Sequence, residues 1–308
     1  MLPSGQSHSY SKSFHLSVTM QSFNSIIVGI TVVMSICSCD EREIPVGEPL
    51  LVVEGYIDEG DFPVVMLTTT LPVSSDPQST DSLGEHLFRW AKVTVSDGEQ
   101  ETVLTGMVDK AFFPPFVYTT SRIRGQTGKR YTLRIDYEGY HATSVTTIPE
   151  KPVIDSLVVS KTDIDTLFSM TAFLKDNPQE NCHYMAFVRL GSHGKQWLPA
   201  YLGLMTEKKE PSKTSIVVNR PWMIIDTLEY TPFFCSGDTV SIKVAQIDEN
   251  AYIFWKDYEN SINFSRNPLF PFSQNIHSNI EGGMGCWYGC GVVKQNIVIN
   301  QANLIVYD

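Results

Sequence analysis

The sequence predicts a mainly β protein made of two β-sandwich-like domains, the first immunoglobulin-like or prealbumin-like, with one amphipathic helix in the second. Three observations carry this reading. Alternating and β-branched runs recur at short intervals along most of the chain, and residues that tolerate positive φ or close tight turns stand between them. A single stretch changes to helical spacing. A hydrophobic fraction of 42% with 19% charged residues is the balance of a chain that buries a core.

The chain begins with a processing segment. From Met20 it reads Met-Gln-Ser-Phe-Asn-Ser and then an apolar run from Ile26 to Ile36, the length of a signal h-region and too short to span a bilayer. Residues 1–39 are therefore read as a signal peptide whose expected start is Met20 rather than Met1. Ile36-Cys37-Ser38-Cys39 resembles a bacterial lipobox, with an apolar residue three positions before the acceptor and a small one just before it. Cys39 is the expected lipidation site, and Cys37, preceded by bulky Ile36, is the poorer acceptor. A soluble secreted product that loses both cysteines with its leader is the alternative. Acyl chains on Cys39 would hold a folded domain at a membrane surface through their buried methylenes. Asp40, Glu41 and Glu43 resemble the acidic signal that sends some Gram-negative lipoproteins to the outer face of the outer membrane. A periplasm-facing location is the alternative to that placement.

Residues 40–49 then read as a tether. Leu50–Ile57, Val64–Thr70, Ala91–Ser96, Phe116–Thr120, Arg130–Tyr137 and Tyr140–Thr147 are the strands of a first domain over 50–148, with turns at Asp97-Gly98 and Gly125–Gly128. Pro149-Glu150-Lys151-Pro152 breaks the pattern, because proline removes a backbone donor and pushes the residue before it toward extended geometry. Residues 149–152 are the expected linker. The second domain, 153–308, carries strand-like runs at Val153–Ser160, Leu167–Leu174, His183–Leu190, Thr214–Val218, Asp238–Ile247 and Asn296–Val306. Its helix follows Asp248, a suitable N-cap, and sets Ala251, Phe254, Trp255, Tyr258 and Ile262 on one face for packing against a sheet.

Several strings taken in order resemble the family known as domain of unknown function 4249, a group of Gram-negative surface lipoproteins. They are Leu51-Val52-Val53-Glu54-Gly55-Tyr56-Ile57, the strand from Val64 to Thr70, Ala91-Lys92-Val93 and Thr147-Ile148-Pro149. The helix around Tyr252 to Tyr258 then leads to Asn267-Pro268-Leu269-Phe270 and Ser278-Asn279-Ile280-Glu281-Gly282-Gly283-Met284-Gly285. Where the family shows an apolar or aromatic stretch after the glycines, this chain has Cys286-Trp287-Tyr288-Gly289-Cys290. The resemblance implies no catalytic residues. It implies location and context: such lipoproteins are often encoded beside TonB-dependent outer-membrane transporters, which suggests an accessory part in capture or uptake.

The remaining motifs carry little chemistry. A net charge of -11 without a cluster of Lys and Arg argues against nucleic acid. Cys182, Cys235, Cys286 and Cys290 form an even set for an oxidising compartment, and Cys286 with Cys290 is the local disulfide that spacing suggests. Cys182, His183 and His277 could be thiolate and imidazole ligands, but they lack paired metal-site spacing, so neither a metal nor another cofactor is expected. Gly191-Ser192-His193-Gly194 reads as a turn, since adjacent side chains do not form an oriented nucleophile and base. Asp226 and Asp238 have no demonstrable pairing, and Gly282–Gly285 lacks the Lys-Ser/Thr of a phosphate loop and reads as a tight turn. Phe112–Phe116 and Phe270-Pro271-Phe272 are either exposed contact surfaces or plugs over the core. The expected function is noncatalytic: an outer-membrane lipoprotein that captures a ligand for a TonB-dependent transporter or docks onto one. A structural or adhesive lipoprotein and a cell-surface hydrolase are the rivals.

Overall fold

The computed structural model describes residues 50–70, 87–175, 182–191, 196–206, 214–221, 230–265, 276–300 and 303–306. In chain order these form β1 (Leu51–Asp58), β2 (Val64–Thr69), β3 (Lys92–Ser96), β4 (Glu101–Val103), β5 (Thr105–Val108), β6 (Phe116–Thr119), β7 (Arg130–Tyr137) and β8 (Tyr140–Thr147). After the proline-rich crossing come β9 (Ile154–Lys161), β10 (Leu167–Leu174), β11 (His183–Leu190), β12 (Leu198–Thr206), β13 (Ser215–Val217), β14 (Phe234–Cys235) and β15 (Thr239–Ile247). Helix α1 (Glu249–Ser265), β16 (Met284–Val298) and β17 (Asn303–Val306) complete the chain. The protein is mainly β, with one helix among the described residues, and that helix is not long and apolar enough to cross a membrane.

An eight-stranded sheet, ordered β12-β11-β15-β16-β1-β2-β6-β5, runs through the whole fold. At its centre β1 is parallel to β16 and antiparallel to β2, while β15 is antiparallel to β16. Side chains alternate between the faces of a strand, so each of these strands serves two environments. On one face, Leu51, Val53 and Ile57 of β1 and Trp287 of β16 meet Val93, Val95, Leu133 and Ile135 of a four-stranded sheet, β4-β3-β7-β8. Further along, Ala186, Val188, Val240 and Val244 meet Leu157, Val159, Met170 and Ala172 of a five-stranded group in which β13, β10, β9 and β17 run in order and β14 pairs with β10. The first core draws on residues up to Ile148 plus Ile280 and Trp287, and the second begins at Ile154. The opposite face holds a third cluster, in which Tyr56, Phe187, Ala245, Cys286, Tyr288 and Cys290 lie under Ala251 and Trp255 of α1.

Strand β16 corrects two expectations. Only Gly282-Gly283 turns, after Glu281 has bridged to Thr143; Met284, Gly285 and the Cys286–Cys290 segment belong to a continuous strand. Glycine is required there by close backbone approach rather than by a loop. At Gly285, where φ is +110°, a Cβ would overlap the carbonyl oxygen of Val53. At Gly289 it would stand 3.0 Å from the Ile148 backbone, beside which the chain passes from the first core to the second. Strands β4, β5, β12 and β14 are further additions to the sequence reading. The expected run Asn296–Val306 divides into the end of β16 and β17.

The helix starts as its sequence predicts. The Asp248 carboxylate accepts the Ala251 N–H at 2.8 Å and also the Thr146 hydroxyl at 3.0 Å, so the N-cap binds the helix to β8.

Candidate functional site

The helix-covered face of the large sheet gathers charge that the other face lacks. Asp58 ends β1, Lys243 lies in mid-β15 and Lys294 lies near the end of β16. Lys243 and Lys294 stand directly opposite each other in the β15/β16 register, a like-charge pairing that needs an anion nearby. Asp58 supplies it. Lys243 Nζ lies 3.1 Å from Asp58 Oδ1, and Lys294 Nζ lies 2.9 Å from Asp58 Oδ2 and 3.1 Å from Asp61 Oδ2. The Asp58 and Lys243 side chains are 2% and 1% exposed, whereas Lys294 is 32% exposed, so alternating charge runs from the interior to solvent.

Aromatic rings close the inner end. The Lys243 ammonium lies 4.2 Å from the Phe187 ring centroid, 4.9 Å from Tyr56 and 5.7 Å from Trp197. Trp197 also stacks under the Arg189 guanidinium at 4.4 Å, and Arg124 lies 4.0 Å over Phe62 on the side of Asp61. Burial works to lower the Lys294 value, but Asp58 and Asp61 outweigh it and hold the ammonium above its ordinary range. Burial also opposes ionisation of Asp61, yet the Phe62 N–H and Lys294 hold its carboxyl below the ordinary value. These groups are mutually satisfied, which is the condition for charge at this depth.

The Trp197 end connects to the Phe112–Phe116 stretch. Gln196 accepts the Phe113 N–H at 2.8 Å and donates to the Phe113 carbonyl at 3.2 Å, so one side-chain amide imitates a strand partner. The pairing fixes the backbone and leaves the Phe113 side chain outside, 52% exposed. In the edge strand just before it, Met107 is 47% and Val108 66% exposed, and all four residues of β5 face solvent. Phe113 is thus a presented aromatic rather than a core plug; Phe270-Pro271-Phe272 lies outside the described residues.

The cysteines do not form the suggested bridge. Cys286 and Cys290 are free, buried and four residues apart on one strand. An extended strand puts such positions about 13 Å apart, beyond the Cα separation a disulfide spans. Burial pushes both thiols well above the ordinary range, so they are packing groups. Cys182 takes a bond from Gln246 at 3.4 Å, His183 stacks on Tyr252 at 4.3 Å, and His277 meets Asn250 at 3.3 Å. Among the described residues no group of three His, Cys, Asp or Glu side chains is arranged to hold a metal. Asp238 caps a turn by accepting the Cys235 N–H at 2.9 Å. Cys39, Ser192, His193 and Asp226 lie outside the described residues. His141 and Asp136 pair at 2.8 Å on an exposed rim beside Glu281.

The charge run and Gln196 were missed by sequence reasoning, although a signal existed. Lys243 interrupts Val-Ser-Ile-Lys-Val-Ala, and Glu54, Tyr56 and Asp58 share one face of β1. A charge at an inward position of an apolar strand is rarely left unpaired.

Comparison with known families agrees with the resemblance. The model of a family described as domain of unknown function 4249 matches residues 40–296. No curated protein matches the chain. Because the match covers most of its length, the chain belongs to the domain of unknown function 4249 family.

Proposed function

We propose that this member of the family is a noncatalytic lipoprotein, anchored through Cys39 to the outer membrane and facing the cell exterior, that serves a TonB-dependent transporter as an accessory or ligand-capture partner. Its two cores read as two sandwich-like units, the first immunoglobulin-like or prealbumin-like, whose large shared sheet gives a rigid support for surface loops. One observation carries the binding reading: Met107, Val108 and Phe113 place large apolar side chains, each about half exposed or more, along one edge strand and its following loop. Exposed apolar side chains along one edge of the sheet support a partner-contact role, and aromatics make such contacts with few rotamers to freeze. The acidic whole, at -11, favours no nucleic-acid partner.

Crosslinking of the native lipoprotein in intact outer membranes, followed by purification and peptide identification, tests the proposal. A reproducible transporter partner is the expected result. Confirmed surface display and efficient control crosslinks without any partner would overturn it in favour of a structural or adhesive role.

A further inference from the structure

The geometry points to an intramolecular amide joining Lys243 Nζ to the side-chain carbonyl carbon of Asp58, which makes this pair a self-modification site; we infer that it forms after folding. The amine lies 3.1 Å and 3.4 Å from the two Asp58 oxygens, so nucleophile and carboxyl are already within the range of a near-attack arrangement. Both side chains are within 2% of complete burial, and the rings of Phe187, Tyr56 and Trp197 surround the amine. Water, which would reverse a condensation, is thereby excluded from the reactants. The same burial makes the separated charges costly, and conversion to a neutral amide removes both.

The second lysine supplies what the step needs. Lys294 Nζ sits 2.9 Å from Asp58 Oδ2 and is held there by Asp61. Proton transfer from the Lys243 ammonium to Asp58 Oδ1 gives a free amine and a neutral acid. The amine lone pair then attacks the carboxyl carbon and the C–N bond forms. Negative charge develops on Oδ2, beside the Lys294 ammonium. A proton from the attacking nitrogen passes to Oδ1, the C–O bond breaks, and water departs. Ammonium plus carboxylate become amide plus water, with no oxidant or reductant. Lys294 and Asp61 remain as a neutral pair, so the product leaves no orphan charge. Lys294 is a positioning and charge-stabilising group, and Asp58 and Lys243 are the residues joined.

The bond would tie β1, the first strand after the expected tether, to β15 across the intervening β16. Load applied at a membrane anchor would then reach the sheet through covalent as well as hydrogen bonds.

The test is mass spectrometry of the full chain, purified folded and then denatured. The native protein is expected to be one water lighter than its processed sequence. Its tryptic digest should contain a branched peptide joining the Asp58 and Lys243 segments, with cleavage lost at Lys243. Lys243→Arg and Asp58→Ala should each restore the mass and the linear Asp58 peptide, and Lys294→Met should slow the loss of water. If either joining-site variant fails to fold, wild-type chain made by cell-free translation and quenched in denaturant before it folds supplies the unlinked comparison. Folded wild-type protein of full mass, with quantitative cleavage at Lys243 and only linear peptides, would overturn the inference and leave a buried ion pair.

Discussion

On one face of the eight-stranded sheet, Leu51, Val53, Ile57, Val240 and Val244 bury hydrocarbon against two smaller sheets; on the other, the same strands present Glu54, Tyr56, Asp58 and Lys243 to a helix and a set of aromatic rings. The first face needs only apolar area and fitted shape, and its energy is insensitive to pH. The second face is stable only while each charge keeps its partner. Alternation along a strand lets one run of backbone serve both purposes, with odd positions of β1 building a core and even positions holding ionisable groups.

The largest expected effect comes from breaking a pair. Asp58→Ala should cost about 3–5 kcal/mol or more in urea unfolding, because it removes the inferred amide and leaves Lys243 buried as an unpaired charge. Adding Lys243→Met should recover the part of that loss that comes from the unpaired buried ammonium, and none of the part that comes from the missing amide. Trp287→Ala on the apolar face should cost a similar ~3–5 kcal/mol. The same Lys243→Met change should rescue none of it, and equal rescue of both would erase the distinction between the faces.

A smaller difference should appear in pH dependence. Burial raises the Glu54 carboxyl from 4.5 to about 7. The folded state therefore holds a proton that the unfolded chain has released between those values, and stability falls as pH rises through about 7. Glu54→Gln should flatten that fall and raise the melting temperature at pH 8 by about 2–4 °C, the response to roughly 1 kcal/mol in a protein of this size. Trp287→Phe should leave the pH profile unchanged in shape. Below these in size stands Asp248→Ala, expected to cost about 1 kcal/mol through loss of the helix cap, measurable by thermal unfolding. Phe113→Ser should change stability by under about 0.5 kcal/mol, since an exposed ring contributes little to folding. Its expected effect is on partner capture.

The apolar face was largely legible in the sequence. Arg130–Tyr137, Tyr140–Thr147, Leu167–Leu174 and His183–Leu190 announce themselves by alternation and match the strands observed. The Asp248 cap and the aromatic stripe announce the helix. The charged face was less legible because its members, Asp58 with Asp61, Gln196, Lys243 and Lys294, come from four separate segments joined only by sheet register and a loop. β16 was obscured for a different reason: Gly285, Gly289 and Gly291 look like turn residues, yet they stand where Val53, Ile148 and Glu150 approach too closely for a side chain. Short edge strands such as Glu101–Val103 and Thr105–Val108 offer too few residues to show a period.

The most direct test of the partner-binding account is photocrosslinking in intact outer membranes from a photoreactive residue at position 113, compared with the same residue at Val217, which is also exposed. The account predicts a transporter adduct from position 113 and little from position 217. Equal labelling from both positions, or none from position 113 in surface-displayed protein with working controls, would contradict it.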